Sequence, residues 1–182
     1  MFGAIPDYQI EQLNIISPFD KSKLQPFGYD VSITEGEIWK LKHTYTLPLS
    51  PNNPPPKEAW EIYNLKNKDI ILVQWGELWL AKTSEYFKLP NNIQMLLLNK
   101  SRFARCGAMP NIGVAPADAG WQGYLVLELC SLARQGVEYT IGEPVAQVMF
   151  IGGSPCAKPY DSTHIYQNQD TIRGPLCKEN LK

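Results

Sequence analysis

The chain has 182 residues, a net charge of −1, 44% apolar and 19% charged residues, the profile of one soluble globular domain with a substantial core. So balanced a charge excludes a global basic field for nucleic acid or membranes, and an anionic ligand must be met by a few placed cations. No apolar run approaches a membrane span, and residues 1–7 (MFGAIPD) lack the basic and apolar segments of a signal peptide, so a cytoplasmic protein is expected.

Taken in order, Pro6 near a helix start and apolar Ile10, Leu13, Ile15 and Ile16 predict a short amphipathic helix over 6–15. Residues 19–23 are turn-like. An alternating strand follows over 24–33, with Pro26 fixing its entry, and a second over 37–42 (EIWKLK). The stretch 47–58, LPLSPNNPPPKE, holds five prolines and reads as a surface loop between strands. From Asp69 onward, apolar runs at 70–75, 78–82, 93–98, 124–129, 138–141 and 145–151 alternate with turns, as in an all-β sandwich or barrel. Residues 83–87 and 101–106 are the two places for brief helical turns. After Lys158 the chain is polar and aromatic without an apolar period, either disordered or an arm that orders over a site or a neighbouring subunit.

Four cysteines, at 106, 130, 156 and 177, are widely separated and never form CxxC, so they read as reduced thiols. A zinc nucleobase deaminase needs an HxE and a PCxxC element. The two histidines, His43 and His164, begin no HxE, so no zinc site and no protein metal site is expected.

The chemistry concentrates in residues 99–128, NKSRFARCGAMPNIGVAPADAGWQGYLVLE. Lys100, Ser101, Arg102 and Arg105 form a cationic, hydroxyl-bearing turn. Glu128 sits inside the apolar run YLVLEL, where burying an unpaired carboxylate costs on the order of several kcal/mol. Arg105 is its natural compensation. An exposed strand glutamate beside a solvated basic turn is the plain alternative.

These residues carry a family resemblance across nearly the whole chain. LQPFGYDVSI resembles the N-terminal QPxSYD segment of the dCTP deaminase branch of the trimeric dUTPase superfamily, with Gly28 in place of its serine. KSRFARCG resembles that family's RSSLARLG motif, ADAGWQGYLVLEL its IDPGFxGxxxLEL motif, VEYTIGEPVAQVMF its late strand pair, and PY…IYQNQ its C-terminal PY…KYxxQ arm.

The resemblance implies a mainly β subunit spanning 1–182: a distorted β-barrel or jelly roll of the dUTPase-like type, with a short N-terminal helix and an arm over 159–182. It implies a homotrimer with sites at subunit interfaces, no nucleic-acid or membrane partner, and hydrolytic deamination of dCTP to dUTP and ammonia without zinc. Magnesium would arrive on the triphosphate.

By the same resemblance Glu128, Arg105 and Ser101 are the catalytic residues. Lys100, Arg102, Val114, Asp118, Trp121, Val126, Tyr160 and Gln169 bind substrate: Asp118 receives the 3′-hydroxyl, Trp121 lies under the sugar, and Tyr160 and Gln169 meet phosphate. Gln147 matches a structural strand-pair glutamine. Asn111 and Gly113 depart from the usual His and Thr, and Ile165 replaces a lysine, a loss for which Arg102 or His164 could compensate. Asp118-Ala119-Gly120 also resembles the form found in dUTP diphosphatases and bifunctional members. A bifunctional enzyme or dUTP diphosphatase is therefore the second expectation, and a non-catalytic nucleotide binder the third.

Overall fold

A computed structural model describes residues 2–113 and 115–176. Its elements in chain order are β1 (Gly3–Ala4), α1 (Asp7–Leu13), β2 (Ile16–Ser17), β3 (Leu24–Gln25), β4 (Gly28–Leu41), β5 (Trp60–Leu65), β6 (Ile70–Val73), β7 (Trp79–Lys88), β8 (Ile93–Asn99), α2 (Ser101–Ala104), β9 (Ala108–Met109), β10 (Ala115–Ala117), β11 (Gln122–Ser131), β12 (Val137–Thr140) and β13 (Pro144–Gly152), with 3-10 turns at Lys21–Lys23 and Lys57–Ala59. The main sheet runs β10–β8–β13–β4–β7–β11–β9 and is antiparallel throughout, while β6 and β12 pair separately.

The sheet curls because β4 belongs to two parts of it. Its first half pairs with β13 from Tyr29 to Ser32, and its second half pairs with β5 and β7. Gly36, at φ +114°, lies in the register break between Ile33 and Ile38, where a residue with a Cβ would be strained. Hence the two strands expected at 24–33 and 37–42 are largely one strand, bent at a glycine. Inward side chains close the core: Tyr29, Val31, Ile33, Ala81, Phe87, Leu127, Leu129 and Phe150 are fully buried, each large one contributing about 1.5–3 kcal/mol.

A second break lies between β7 and β11. Two steps on β11, Tyr124 to Val126, face four on β7, Tyr86 to Lys82, so β7 bows outward at Thr83–Ser84–Glu85. The bow removes ladder partners, and side chains supply them. Thr83 Oγ1 donates to the Glu85 carbonyl (2.9 Å) and accepts from Leu125 N–H (3.1 Å), while the Glu85 carboxylate accepts from Ser32 N–H (3.1 Å) and binds Lys23 (2.6 Å). This polar patch breaks the apolar alternation, and the helical turn expected at 83–87 is strand instead.

The helix expected at 6–15 is α1, and the loop at 47–58 holds one isolated bridge, Ser50 to Asn53, before its 3-10 turn. β5 has no counterpart among the expected strands: four of its six residues are exposed, leaving little hydrophobic signal. Cys106, Cys130 and Cys156 are free thiols, and Cys177 lies outside the described residues. No described helix is long and apolar enough to cross a membrane.

Candidate active site

β11 has two faces. Leu127 and Leu129 point into the core, so Val126 and Glu128 point outward, toward a cavity of about 400 Å³. The cavity lies between β11 and the β8–β10 side, where Leu97, Pro116 and Ala117 line it, with Trp60, Leu78 and Leu80 at one end. Residues 160–175 form a lid: Tyr160, Tyr166, Gln169, Arg173, Gly174 and Pro175 all face it.

The lid is fastened to β11 by backbone bonds. Tyr160 N–H donates to the Ala119 carbonyl (2.8 Å), Asn168 N–H to Gln122 (3.0 Å), and Tyr124 N–H to Gln169 (2.8 Å). Trp121 Nε1 donates to the Tyr166 carbonyl (2.8 Å), so Trp121 packs in the core, lines the cavity and holds the lid at once. Gly123, at φ +150°, lets this contact form, since a Cβ there would meet Gln169 N at 2.8 Å.

Among the described residues four carboxylates are buried or half-buried, and three have cations. Asp30 is paired with Lys100 and accepts from Gln25 (3.2 Å). Glu85 has Lys23. Glu77 binds Lys40 (2.7 Å), His43 (3.0 Å), Trp79 Nε1 (2.8 Å) and Gln74 N–H (3.0 Å). Burial alone would raise the Glu77 carboxyl, but these donors outweigh it and hold it at about 2. Glu128 is the exception. Half-buried among Leu80, Val126 and Trp60, it has no ion-pair partner among the described residues, and burial pushes its carboxyl above the ordinary range. Burial that favours the protonated form suits this carboxyl to take up a proton and pass it on.

The expected site residues fall into two groups. Val126, Glu128, Asp118, Trp121, Tyr160 and Gln169 line the cavity together. Lys100, Ser101, Arg102 and Arg105 do not: they sit on and around α2, which leads through β9 to the far end of β11. Ser101, Arg102 and Arg105 are exposed, and Lys100 is committed to Asp30. The Arg105–Glu128 ion pair is therefore not formed within the subunit. α2 is turned by the stacking of Phe103 on Tyr139 (5.5 Å), on the far side of β11 from the acid.

Val114 lies outside the described residues. Asn111 is buried, lines the cavity and donates to the Gly113 carbonyl. Gln147 stands on β13 opposite Asp30 and Leu98, away from the cavity. Neither Arg102 nor His164 brings a cation to the cavity: His164 stacks on Tyr160 (4.2 Å) and bonds to Asp161 (3.0 Å), facing a second depression on the outer side of the lid. Arg173, which the motifs did not single out, lines the cavity itself.

A protein-family model described as dCTP deaminase-like matches residues 4–153. The chain is 30% identical to the dCTP deaminase of Wolbachia pipientis wMel over 97% of this chain and 100% of the relative, and 28% identical to that of Anaplasma marginale (strain Florida) over 96% and 98%. The crystal structure of 2′-deoxycytidine 5′-triphosphate deaminase from Agrobacterium tumefaciens superposes with a TM-score of 0.65 at 16% identity, covering 84% of this chain, which spans 48% of that longer one. That likeness shows the fold, a mainly β subunit built on a curled sheet. The matched span carries both the curled sheet and the strand that presents the unpaired acid, and the chain belongs to the dCTP deaminase-like family.

Proposed function

We propose that the protein deaminates dCTP hydrolytically to dUTP and ammonia, with Glu128 as the proton-transfer group. The observation that carries this reading is the contrast among carboxylates: of the four buried or half-buried ones among the described residues, Glu128 alone has no cation, and it lies in the cavity that the lid covers; burial raises its carboxyl, as it raises that of Glu85 despite Lys23. Water attacks C4 of the cytosine ring. Glu128 takes its proton and delivers it to N3, then moves the second proton from the C4 hydroxyl to the departing amine, leaving a carbonyl and ammonia. Asp118 receives the 3′-hydroxyl, and Trp121 and Val126 flank the sugar and base.

Ser101 and Arg105 enter this reading from a second copy. The α2 turn is exposed and rich in cations, while the cavity holds the acid, so a homotrimer with sites between subunits would bring the turn of one copy to the cavity of the next. Arg105 would then hold the Glu128 carboxylate and the carbonyl-oxygen charge that develops opposite it, with Lys100 and Arg102 beside the phosphates.

Among the described residues no group of three or more His, Cys, Asp or Glu side chains is placed to hold a metal ion. Apart from Glu128, Asp118 is the one carboxylate on the cavity lining. That is too few hard oxygen donors for a magnesium site built from protein groups. In this reading magnesium arrives on the triphosphate, zinc has no part, and no step runs through a protein-bound metal.

The test is purified protein with magnesium and dCTP, followed for dUTP, dUMP, ammonia and pyrophosphate. Ammonia and dUTP in equal amounts are expected. dUMP with pyrophosphate would identify the bifunctional form, for which Asp118-Ala119-Gly120 is the supporting sequence feature. Intact dCTP beside cleaved dUTP would overturn the deaminase reading.

A further inference from the structure

We propose that Arg173, on the lid, is the subunit's own contact for the substrate's polyphosphate, an inference that rests on the nucleotide reading above. Among the described residues, Arg173 is the one basic side chain lining the Glu128 cavity. The other walls are apolar (Leu78, Leu80, Leu97, Val126), neutral and polar (Asn111, Gln169) or bear carboxylates (Glu128, Asp118). A ligand with several negative charges entering such a space meets two carboxylates, and a cation on the same wall would offset them beside any that a second copy brings.

The guanidinium is positioned but not used up. Arg173 Nη1 donates to the Ile165 carbonyl at 3.4 Å, and Nη2 to the Asn168 carbonyl at 3.3 Å and Asp170 Oδ1 at 3.4 Å. All three contacts are long, and Asp170 is largely exposed to water. A guanidinium carries five N–H donors in a planar fork, so donors remain for two phosphate oxygens at once. The lid's other polar groups have less to offer: Tyr160 Oη accepts from Tyr166 N–H (3.2 Å), and Gln169 Nε2 donates to the Tyr124 carbonyl (3.2 Å).

Arg173 is also well placed to report a bound ligand to the lid. Its backbone neighbours Ile172 and Gly174 pack by Trp60 and Leu80, and its side chain reaches back to 165–170, so it spans the lid segment. Phosphate bound at the fork would bridge the two ends of that segment.

The experiment compares Arg173→Gln and Arg173→Lys with wild type for binding of dCTP and dCMP at two salt concentrations. Glutamine keeps a hydrogen-bond donor for the carbonyls and removes the charge. Arg173→Gln should weaken dCTP about 10- to 100-fold, the range of a lost charge-assisted contact, flatten its salt dependence, and change dCMP by less than about threefold. Arg173→Lys should recover part of the dCTP affinity. Equal losses for dCTP and dCMP would make Arg173 a purely structural clasp and overturn the proposal, as would no loss for either while wild type turns dCTP over. Wild-type protein that neither binds nor converts dCTP would overturn the nucleotide reading and this one with it.

Discussion

On the proposed reading, the Glu128 cavity and the α2 turn hold complementary halves of one chemistry. Among the described residues, the cavity has apolar walls, a covering lid and an acid without an ion-pair partner, with Arg173 as its lone cation. The α2 turn has Ser101, Arg102 and Arg105 in the open and no enclosure. Within one subunit they lie at different parts of β11 and do not meet. Among the described residues that acid has no cation beside it, and burial raises its carboxyl above the ordinary range. The three carboxylates whose work is structural are each clamped by a cation.

The hardest way to break this comparison is to remove the acid. Glu128→Gln should lower deamination about 10²–10⁴-fold, the usual worth of a general acid–base, while the dCTP dissociation constant stays nearly constant. Undiminished turnover would take Glu128 out of the mechanism. Arg105→Ala should also lose most of its turnover, and then the two inactive variants become a test of sharing. Mixed and reassembled, Glu128→Gln and Arg105→Ala subunits should regain activity if each site draws on two copies. No recovery would place both groups in one subunit's site.

Clamped and unclamped acids should also differ in stability. Lys23→Ala leaves Glu85 buried without its cation and should cost about 3–5 kcal/mol in urea unfolding. A smaller effect is expected at the lid. Gly123→Ala sets a methyl against Gln169 N and should raise KM for dCTP roughly tenfold through one or two lost backbone bonds, with the unfolding midpoint little moved.

The smallest effect has a definite sign. Burial raises the Glu128 carboxyl in the folded state, so the folded protein binds that proton more tightly than the unfolded chain does. The associated stability is complete below the unfolded value and is lost as pH rises through the folded one. At dilutions where the copies separate, Glu128→Gln should therefore melt above wild type at neutral pH, with the gap closing toward acid. A wild type that melts higher at neutral pH would contradict an unpaired acid.

Much of this was legible in the sequence, for reasons that can be named. Glu128 stood out because a charge interrupts an apolar alternation, and Trp121, Asp118 and Tyr160 followed from motifs that share its cavity. The Arg105–Glu128 pair is not formed within the subunit, and a strand pattern carries no information on whether a charge is answered from the same chain. Glu77, Glu85 and Asp30 escaped notice. Their cations come from residues distant in the chain or, for Lys100, from one already given another role. Arg173 escaped too, since it lies in a segment without period whose position is set by backbone bonds to β11.

The lid's short tether has a consequence for how the site answers to dilution. Only residues 153–159 separate the end of β13 from Tyr160, where the lid first bonds to Ala119. A segment held that closely experiences an effective concentration in roughly the millimolar range, so its closure is a unimolecular event that no dilution weakens. Any group donated by a second copy obeys mass action instead. As protein concentration falls, turnover should fade through the loss of the neighbour's contribution while the lid goes on closing over a cavity that still binds nucleotide.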